Sequence, residues 1–142
     1  MKITLSKNQW LSIGKKAGWV KKAQQADVFT DNYIESGLWT ITDDEGDYIV
    51  DDFTVEQISP ETLAQMQQDC ASFVQKYGEL LAQSGMSMAD AGQDFWLTRN
   101  GHDVGFWDRK LPPNISDQLT KGARAYGEYK LHVGDDGKVH GR

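Results

Sequence analysis

The chain has 142 residues, 39 % of them hydrophobic and 25 % charged, and a formal net charge of −6. This length suits one domain with a real core, and the composition excludes a wholly disordered chain. The charge is unevenly divided: residues 1–22 hold six lysines and no acid, residues 23–75 hold twelve acids and no Lys or Arg, and residues 76–142 hold nine of each sign. The negative total makes direct nucleic-acid binding an unfavoured function, although the basic head leaves a local contact open.

The sequence shows no feature of an exported or membrane protein. No apolar run approaches the roughly 20 residues that cross a bilayer, and the first residues lack the apolar core of a secretory signal. The single cysteine, Cys70, cannot form an intramolecular disulfide and falls in an apolar helical pattern. The sequence therefore predicts an intracellular, reducing location and a buried thiol.

The N-terminal portion, residues 1–57, predicts helices and an acidic turn. A capping box at Ser6 and Gln9 begins a helix that Gly18 ends. The predicted elements are a strand over 2–5, helices over 6–18 and 23–37, and an acidic turn over 42–47. Because the residues flanking the turn alternate between apolar and polar, an acidic hairpin is one interpretation.

Residues 58–142 predict a long helix and a β-hairpin–helix–β-hairpin module. A Ser-Pro-Glu start at 59–61 caps the helix and favours its dipole. The Asn-Gly pair at 100–101 is the preferred type I′ turn and predicts the first hairpin. The predicted order is a helix over 60–83, a hairpin over 94–108, a helix over 114–127 and a hairpin over 129–140. The fold class is therefore α+β, with about four helices and a small antiparallel sheet in a single domain over 1–142.

Catalytic and metal-binding patterns are largely missing from the sequence. It contains no glycine-rich phosphate loop and no pair of histidines at ligand spacing. The acidic turn does not fit a calcium loop, because Tyr48 stands where an EF-hand needs glycine. We therefore predict no metal, no cofactor and no catalytic residue.

The acidic stretch from Asp43 to Glu61 is the first candidate partner-binding surface. It holds eight acids and no base, and such a carboxylate array can meet a basic channel with the help of electrostatic steering. Two plainer interpretations stay open: a solvated surface, or a surface neutralised by the lysine-rich head of the same chain. The predicted acidic surface consists of Asp43, Asp44, Glu45, Asp47, Asp51, Asp52 and Glu56.

The segment 94–109 is the second candidate surface. Its arginines can hold anions, and its histidine and aspartates can transfer protons. A hairpin tip is a poor place to exclude water, so recognition is a better prediction than catalysis, and a purely structural role is favoured over both. The predicted hairpin surface consists of Trp96, Arg99, Asn100, His102, Trp107 and Arg109.

A family resemblance is carried by the same segment, Asp-Phe-Trp-Leu-Thr-Arg-Asn-Gly-His followed by Gly-Phe-Trp-Asp-Arg, together with the glycine-rich turn at 134–137. This pattern resembles small accessory proteins of bacteriophages and related mobile elements. The resemblance covers roughly residues 58–139, and the opening around Trp10 is similar to a phage-type start. It implies no particular activity and carries over no catalytic residue. It implies the cytoplasm of a bacterial host cell as the location and a host protein as the partner.

Three functions remain open from the sequence. The favoured one is a phage-type protein whose acidic surface binds a host protein and inhibits a nucleic-acid-directed defence system, such as a CRISPR effector or a restriction enzyme. The second is a small nuclease-like or nucleotide-binding enzyme with Arg99, His102, Asp103 and Arg109 at its site. The third is a modulator of host transcription or replication that acts through the basic first helix. The oligomeric state is left open.

Overall fold

The structure is a computed structural model that describes residues 17–43, 45–49 and 53–142, with side chains from residue 27 onward. The predicted strand over 2–5 and most of the first predicted helix lie outside the described residues. The elements are α1 (Ala17–Trp39), a 3-10 helix (Val55–Gln57), α2 (Pro60–Ser84), α3 (Met88–Arg99), a second 3-10 helix (Phe106–Asp108), α4 (Pro113–Arg124), β1 (Leu131–Val133) and β2 (Val139–Gly141). In this part of the chain, the four α-helices and one two-stranded antiparallel sheet confirm the α+β class. None of its helices is long and apolar enough to cross a membrane.

Helix α2 agrees with its prediction because its signals are local. The Ser59 side chain accepts a hydrogen bond from the Thr62 backbone, and Pro60 occupies the first turn. Gly85 ends the helix in a left-handed conformation with φ of 76°. The apolar stripe faces the core and buries Cys70 completely, as predicted.

Helix α3 replaces the first strand of the hairpin predicted over 94–108, so that prediction is wrong. Ser87 caps the helix by accepting a hydrogen bond from the Asp90 backbone, and Asn100 stands at the other end. Every residue from 94 to 100 is buried, and a helix enclosed by neighbours shows no one-sided apolar stripe. Gly101 has a φ of 72°, so the Asn-Gly pair follows a helix end and not the first strand of a hairpin.

Helices α1 and α3 approach each other very closely in the core. A Cβ on Gly92 of α3 would collide with the backbone carbonyl of Phe29 in α1. Aromatic rings fill the space beside this contact, with the Phe73 and Phe95 centroids 4.2 Å apart. Helix α1 starts earlier than the predicted 23–37 segment, and its described residues belong to the same core as the C-terminal module.

The C-terminal helix and hairpin confirm their predictions. Helix α4 is followed by β1 and β2, which pair with Leu131 opposite Gly141 and Val133 opposite Val139. The Ser59 backbone N–H donates to the Val139 carbonyl at 2.9 Å, which ties the hairpin to the start of α2. The observed order from α3 onward is therefore helix, loop, helix, hairpin, and not the predicted hairpin, helix, hairpin.

Candidate partner-binding surfaces

Arg99 lies in the interior and joins four segments of the chain. Its guanidinium donates hydrogen bonds to Tyr33 Oη at 2.9 Å, Asp69 Oδ2 at 2.8 Å, the Tyr126 carbonyl at 3.0 Å and the Gly127 carbonyl at 2.7 Å. The side chain is only 4 % exposed. A planar guanidinium with several fixed donors suits such a multi-partner position better than an ammonium does. The C-terminal end of α3 is thereby fixed to α1, α2 and the segment after α4.

Burial and neighbouring charges set the pKa values around Arg99. Burial raises the pKa of the Tyr33 hydroxyl above its usual range, so this phenol stays protonated at neutral pH. Burial alone would lower the pKa of Arg99, but Tyr33 and Asp69 outweigh it and raise that pKa. Burial also raises the pKa of the Cys70 thiol, which makes it a poor nucleophile. The Tyr33 hydroxyl and the Cys70 thiol of this cluster therefore both stay protonated at neutral pH.

Trp96 and Asn100 are also interior residues. Trp96 Nε1 donates to Thr40 Oγ1 at 2.8 Å, which links α3 to the end of α1. Asn100 Nδ2 donates to the Trp96 carbonyl at 3.0 Å, while its Oδ1 accepts from the Tyr129 backbone at 2.8 Å. Trp96, Arg99 and Asn100 are therefore not part of a surface, contrary to the prediction, because they belong to the buried end of helix α3.

The other three residues of that predicted surface remain partly accessible. Arg109 donates two hydrogen bonds to Asp94, from Nε to Oδ2 at 2.8 Å and from Nη2 to Oδ1 at 3.2 Å. Trp107 is 37 % exposed and carries the Arg124 guanidinium 5.3 Å from its ring centroid. His102 is half-buried, and burial lowers its pKa. The structure therefore divides the predicted hairpin surface into a buried half and an accessible half.

Residues 39–48, here named the acidic loop, expose two large aromatic side chains. Trp39 is 74 % exposed and Tyr48 is 60 % exposed. The loop closes through an antiparallel bridge between Thr42 and Tyr48. The predicted acidic hairpin is thus present as a short turn closed by one bridge. The bridge places Tyr48 at one end of the acidic turn, and Trp39 ends helix α1 three residues before Thr42.

The carboxylates of the acidic loop have different structural roles. Asp43 Oδ1 accepts hydrogen bonds from the backbone N–H groups of Glu45 at 2.9 Å and Asp47 at 3.0 Å. Glu45 and Asp47 are exposed, and no ion pair joins any of these three acids to a described residue. Glu56 is also exposed, at the start of the first 3-10 helix. The remaining members of the predicted acidic surface, Asp44, Asp51 and Asp52, lie outside the described residues.

Sequence reasoning missed Tyr33 and Asp69 as partners of Arg99. They stand 66 and 30 residues from Arg99 in the chain, so no local spacing could connect them. A local signal existed for α3 itself, because Ser87 and Asp90 form a plausible helix start. Reading α3 as a helix would have placed Phe95 and Arg99 on one face, four residues apart.

A groove of about 660 Å³ runs along the second half of α2. Its lining includes the apolar side chains of Val74, Leu81, Met86 and Met88, and its charged lining residues are Lys76 and Glu79. A catalytic pocket normally gathers several convergent polar groups, and this groove lacks such a set. Among the residues that the structure describes, no group of three or more His, Cys, Asp or Glu side chains could hold a metal ion.

Comparisons with known proteins add no assignment. No family model, no curated protein and no solved structure matches this chain. The resemblance of the 94–109 segment to bacteriophage accessory proteins therefore stays a prediction.

Proposed function

We propose that this protein acts by binding a basic surface of another protein through its acidic loop. The observation that carries this proposal is the exposure of Trp39 and Tyr48 at the two ends of the acidic loop. Large aromatic side chains contribute strongly to protein interfaces because they bury much apolar area with few rotatable bonds. In this arrangement, the two rings supply buried apolar contact area and the carboxylates give specificity for a basic partner.

The charge of the loop indicates the chemistry of the partner. Glu45 and Asp47 have no described ion-pair partner, so their field reaches solvent and can steer a basic surface. Proteins that bind nucleic acid present such surfaces, since they must neutralise phosphates. A nucleic-acid-binding protein is therefore the partner class that fits the loop best.

The resemblance to bacteriophage accessory proteins suggests the biological setting of this binding. We propose that the partner is a bacterial host effector that acts on nucleic acid, such as a CRISPR complex or a restriction enzyme. The acidic loop would occupy the channel meant for nucleic acid and so inhibit the effector. This is the anti-CRISPR or anti-restriction function favoured by the sequence.

Affinity capture from a bacterial host lysate tests the proposal. The test variant combines Trp39→Ser, Glu45→Lys and Asp47→Lys, which leaves the loop-ordering Asp43 in place. The control combines Glu79→Lys and Asp117→Lys, which makes the same charge change at exposed acids on α2 and α4. We expect the wild type and the control to capture one nucleic-acid-binding protein and to block its binding to DNA or RNA. Equal capture by the test variant would overturn the role of the loop.

The two alternative functions receive different support. The enzyme hypothesis needs Arg99 and Arg109 at one accessible site, but Arg99 makes four hydrogen bonds in the interior and Arg109 is engaged with Asp94. A nuclease-like or nucleotide-binding site near the 94–109 segment is therefore not favoured. The hypothesis of a transcription or replication modulator depends on the basic first helix, most of which lies outside the described residues, and it stays a prediction.

A further inference from the structure

The outward side of the C-terminal hairpin collects basic side chains. Side chains alternate between the two sides of a strand, and Leu131 on β1 is buried in the core. Its neighbours Lys130 and His132 therefore stand on the opposite side. On the other strand, His140 is the partner of His132, and Arg142 exchanges two backbone hydrogen bonds with Lys130 at 2.9 and 3.0 Å. These four residues, Lys130, His132, His140 and Arg142, are here named the basic face.

The basic face contains one cross-strand pair, Lys130 and Arg142, that does not stabilise the hairpin. Like charges directly opposite each other on two strands are destabilising, and Lys130 and Arg142 are such a pair. The carboxylate nearest to Lys130 is Glu128, at 4.0 Å, and Arg142 forms no ion pair with a described residue. The Lys130 side chain is 56 % exposed. The face is thus open to an anion from outside the chain.

The histidine pair extends this positive surface. The ring centroids of His132 and His140 lie 5.9 Å apart. His140 Nε2 contacts Asp136 Oδ1 at 3.0 Å, whereas His132 Nδ1 is inaccessible and has no hydrogen-bond partner among the described residues. His102 lies near enough to Lys130 for the ammonium to lower its pKa, after the larger effect of burial. All three histidines of the chain therefore adjoin this surface.

We propose that the basic face binds the phosphate backbone of single-stranded nucleic acid. The two cross-strand pairs stand two residues apart along the strands, about 7 Å, which suits successive phosphates of an extended strand. The face lies on the outside of a two-stranded ribbon, so it suits several phosphates in a row better than one enclosed anion. This inference is independent of the acidic loop and goes beyond the proposed protein-binding function.

The net charge of −6 does not prevent such local binding at moderate salt. At 0.1 M ionic strength, charges more than about 10 Å apart are largely screened. The phosphates then respond mainly to the charges within that distance. The hairpin carries Lys130, Lys138 and Arg142 against Glu128, Asp135 and Asp136, so protonated histidines would give it a net positive charge.

Binding should strengthen as the pH falls, because protonated histidines attract phosphate. Burial is the main cause that lowers the pKa of His132, and the positive charges of Arg142 and His140 lower it further. His140 Nε2 instead contacts Asp136 Oδ1 at 3.0 Å. A bound phosphate would raise the pKa of His132, so protonation and binding support each other.

Fluorescence anisotropy with a labelled oligothymidylate of about 16 nucleotides tests the proposal. The full chain is titrated at about 50 mM salt, at pH 5.5 and 7.5, and then at rising salt. The test variant is Lys130→Gln with Arg142→Gln. The control is Lys110→Gln with Lys121→Gln, which removes the same charge from exposed positions outside the hairpin. We expect the test variant to lose about tenfold in affinity and to reduce the salt slope by about 1.4, while the control changes little.

Further variants and an inorganic phosphate titration distinguish binding of a nucleic acid strand from binding of a single anion. A His132→Gln, His140→Gln variant should lose most of the difference in affinity between pH 5.5 and 7.5. Equal binding by the Lys130/Arg142 variant and the wild type would overturn the proposal. Histidine NMR shifts that saturate with inorganic phosphate, without any binding of the oligonucleotide, would also overturn it, because they would indicate a single-anion site.

Discussion

The interior cluster around Arg99 and the acidic loop contain similar charged groups in opposite situations. In the cluster, the Arg99 guanidinium has four internal acceptors, and Asp69 faces it at 2.8 Å. In the loop, Glu45 and Asp47 are exposed and meet no described cation. Arg99, in the segment 94–109, is thus occupied with internal hydrogen bonds, whereas the acidic loop exposes Glu45 and Asp47 to solvent.

Removing Arg99 would test the interior side of this comparison with the largest effect. Arg99→Met leaves two backbone carbonyls without their donors and leaves the Asp69 carboxylate without its cation, although Gln65 still donates to Asp69 Oδ1. Breaking a buried ion pair in this way costs about 3–5 kcal/mol. We expect a loss of that size in the free energy of unfolding, measured by urea denaturation. Lys121→Gln, at an exposed ion pair, should change it by less than about 0.5 kcal/mol. A loss below about 1 kcal/mol for Arg99→Met would show that the cluster is not a structural centre.

The close approach of α1 and α3 gives the next largest effect. Gly92→Ala would force the new methyl group against the Phe29 carbonyl, and overpacking of a core costs about 1–3 kcal/mol. Gly78→Ala in α2 is the matched control, because a Cβ there meets only Val74 at an ordinary 3.9 Å. That control should stabilise the protein by up to about 1 kcal/mol through helix propensity. Thermal unfolding of both variants measures the difference, and equal effects would contradict the close helix contact.

The contrast between α2 and α3 shows how much of the fold was predictable. Helix α2 has a local start at Ser59 and an apolar stripe on one side, so its sequence predicts it almost to the residue. Helix α3 is buried on several sides, so it has no such stripe, and its Asn100-Gly101 end is equally typical of a hairpin turn. The two candidate surfaces differ in the same respect. Composition alone indicated the acidic loop, whereas the burial of Arg99 depends on tertiary contacts between residues far apart in the chain.

The Asp94–Arg109 pair joins a buried carboxylate to a partly exposed guanidinium. We expect it to have a smaller effect on stability, measurable as a dependence on pH. Burial raises the pKa of Asp94, and Arg109 only partly opposes this. From the ordinary aspartate pKa of about 3.9 upward to this raised pKa, the folded state binds more protons than the unfolded state. The stability contributed by Asp94 therefore falls as the pH rises through that window, by at most about 1.4 kcal/mol per pH unit.

Urea denaturation of the wild type and Asp94→Asn from pH 3 to 7 measures this contribution. The free energy of unfolding of the wild type minus that of the variant should decrease with rising pH over the window. An increase over the same window would show that the ion pair with Arg109, and not burial, dominates the pKa of Asp94.

Substitutions in the acidic loop should have the smallest effects on stability. They test directly whether the loop, unlike the interior cluster around Arg99, is free of internal ion pairs. Glu45→Lys with Asp47→Lys should change the free energy of unfolding by less than about 0.5 kcal/mol, because both side chains are exposed and have no described ion pair. Asp43→Ala should cost about 0.5–1.5 kcal/mol, because its carboxylate accepts two backbone hydrogen bonds within the turn. Urea denaturation of both variants provides the measurement. If reversing Glu45 and Asp47 destabilised the protein more than removing Asp43, these carboxylates would be neutralised within the chain, and the loop would be part of the fold and not a surface for partners.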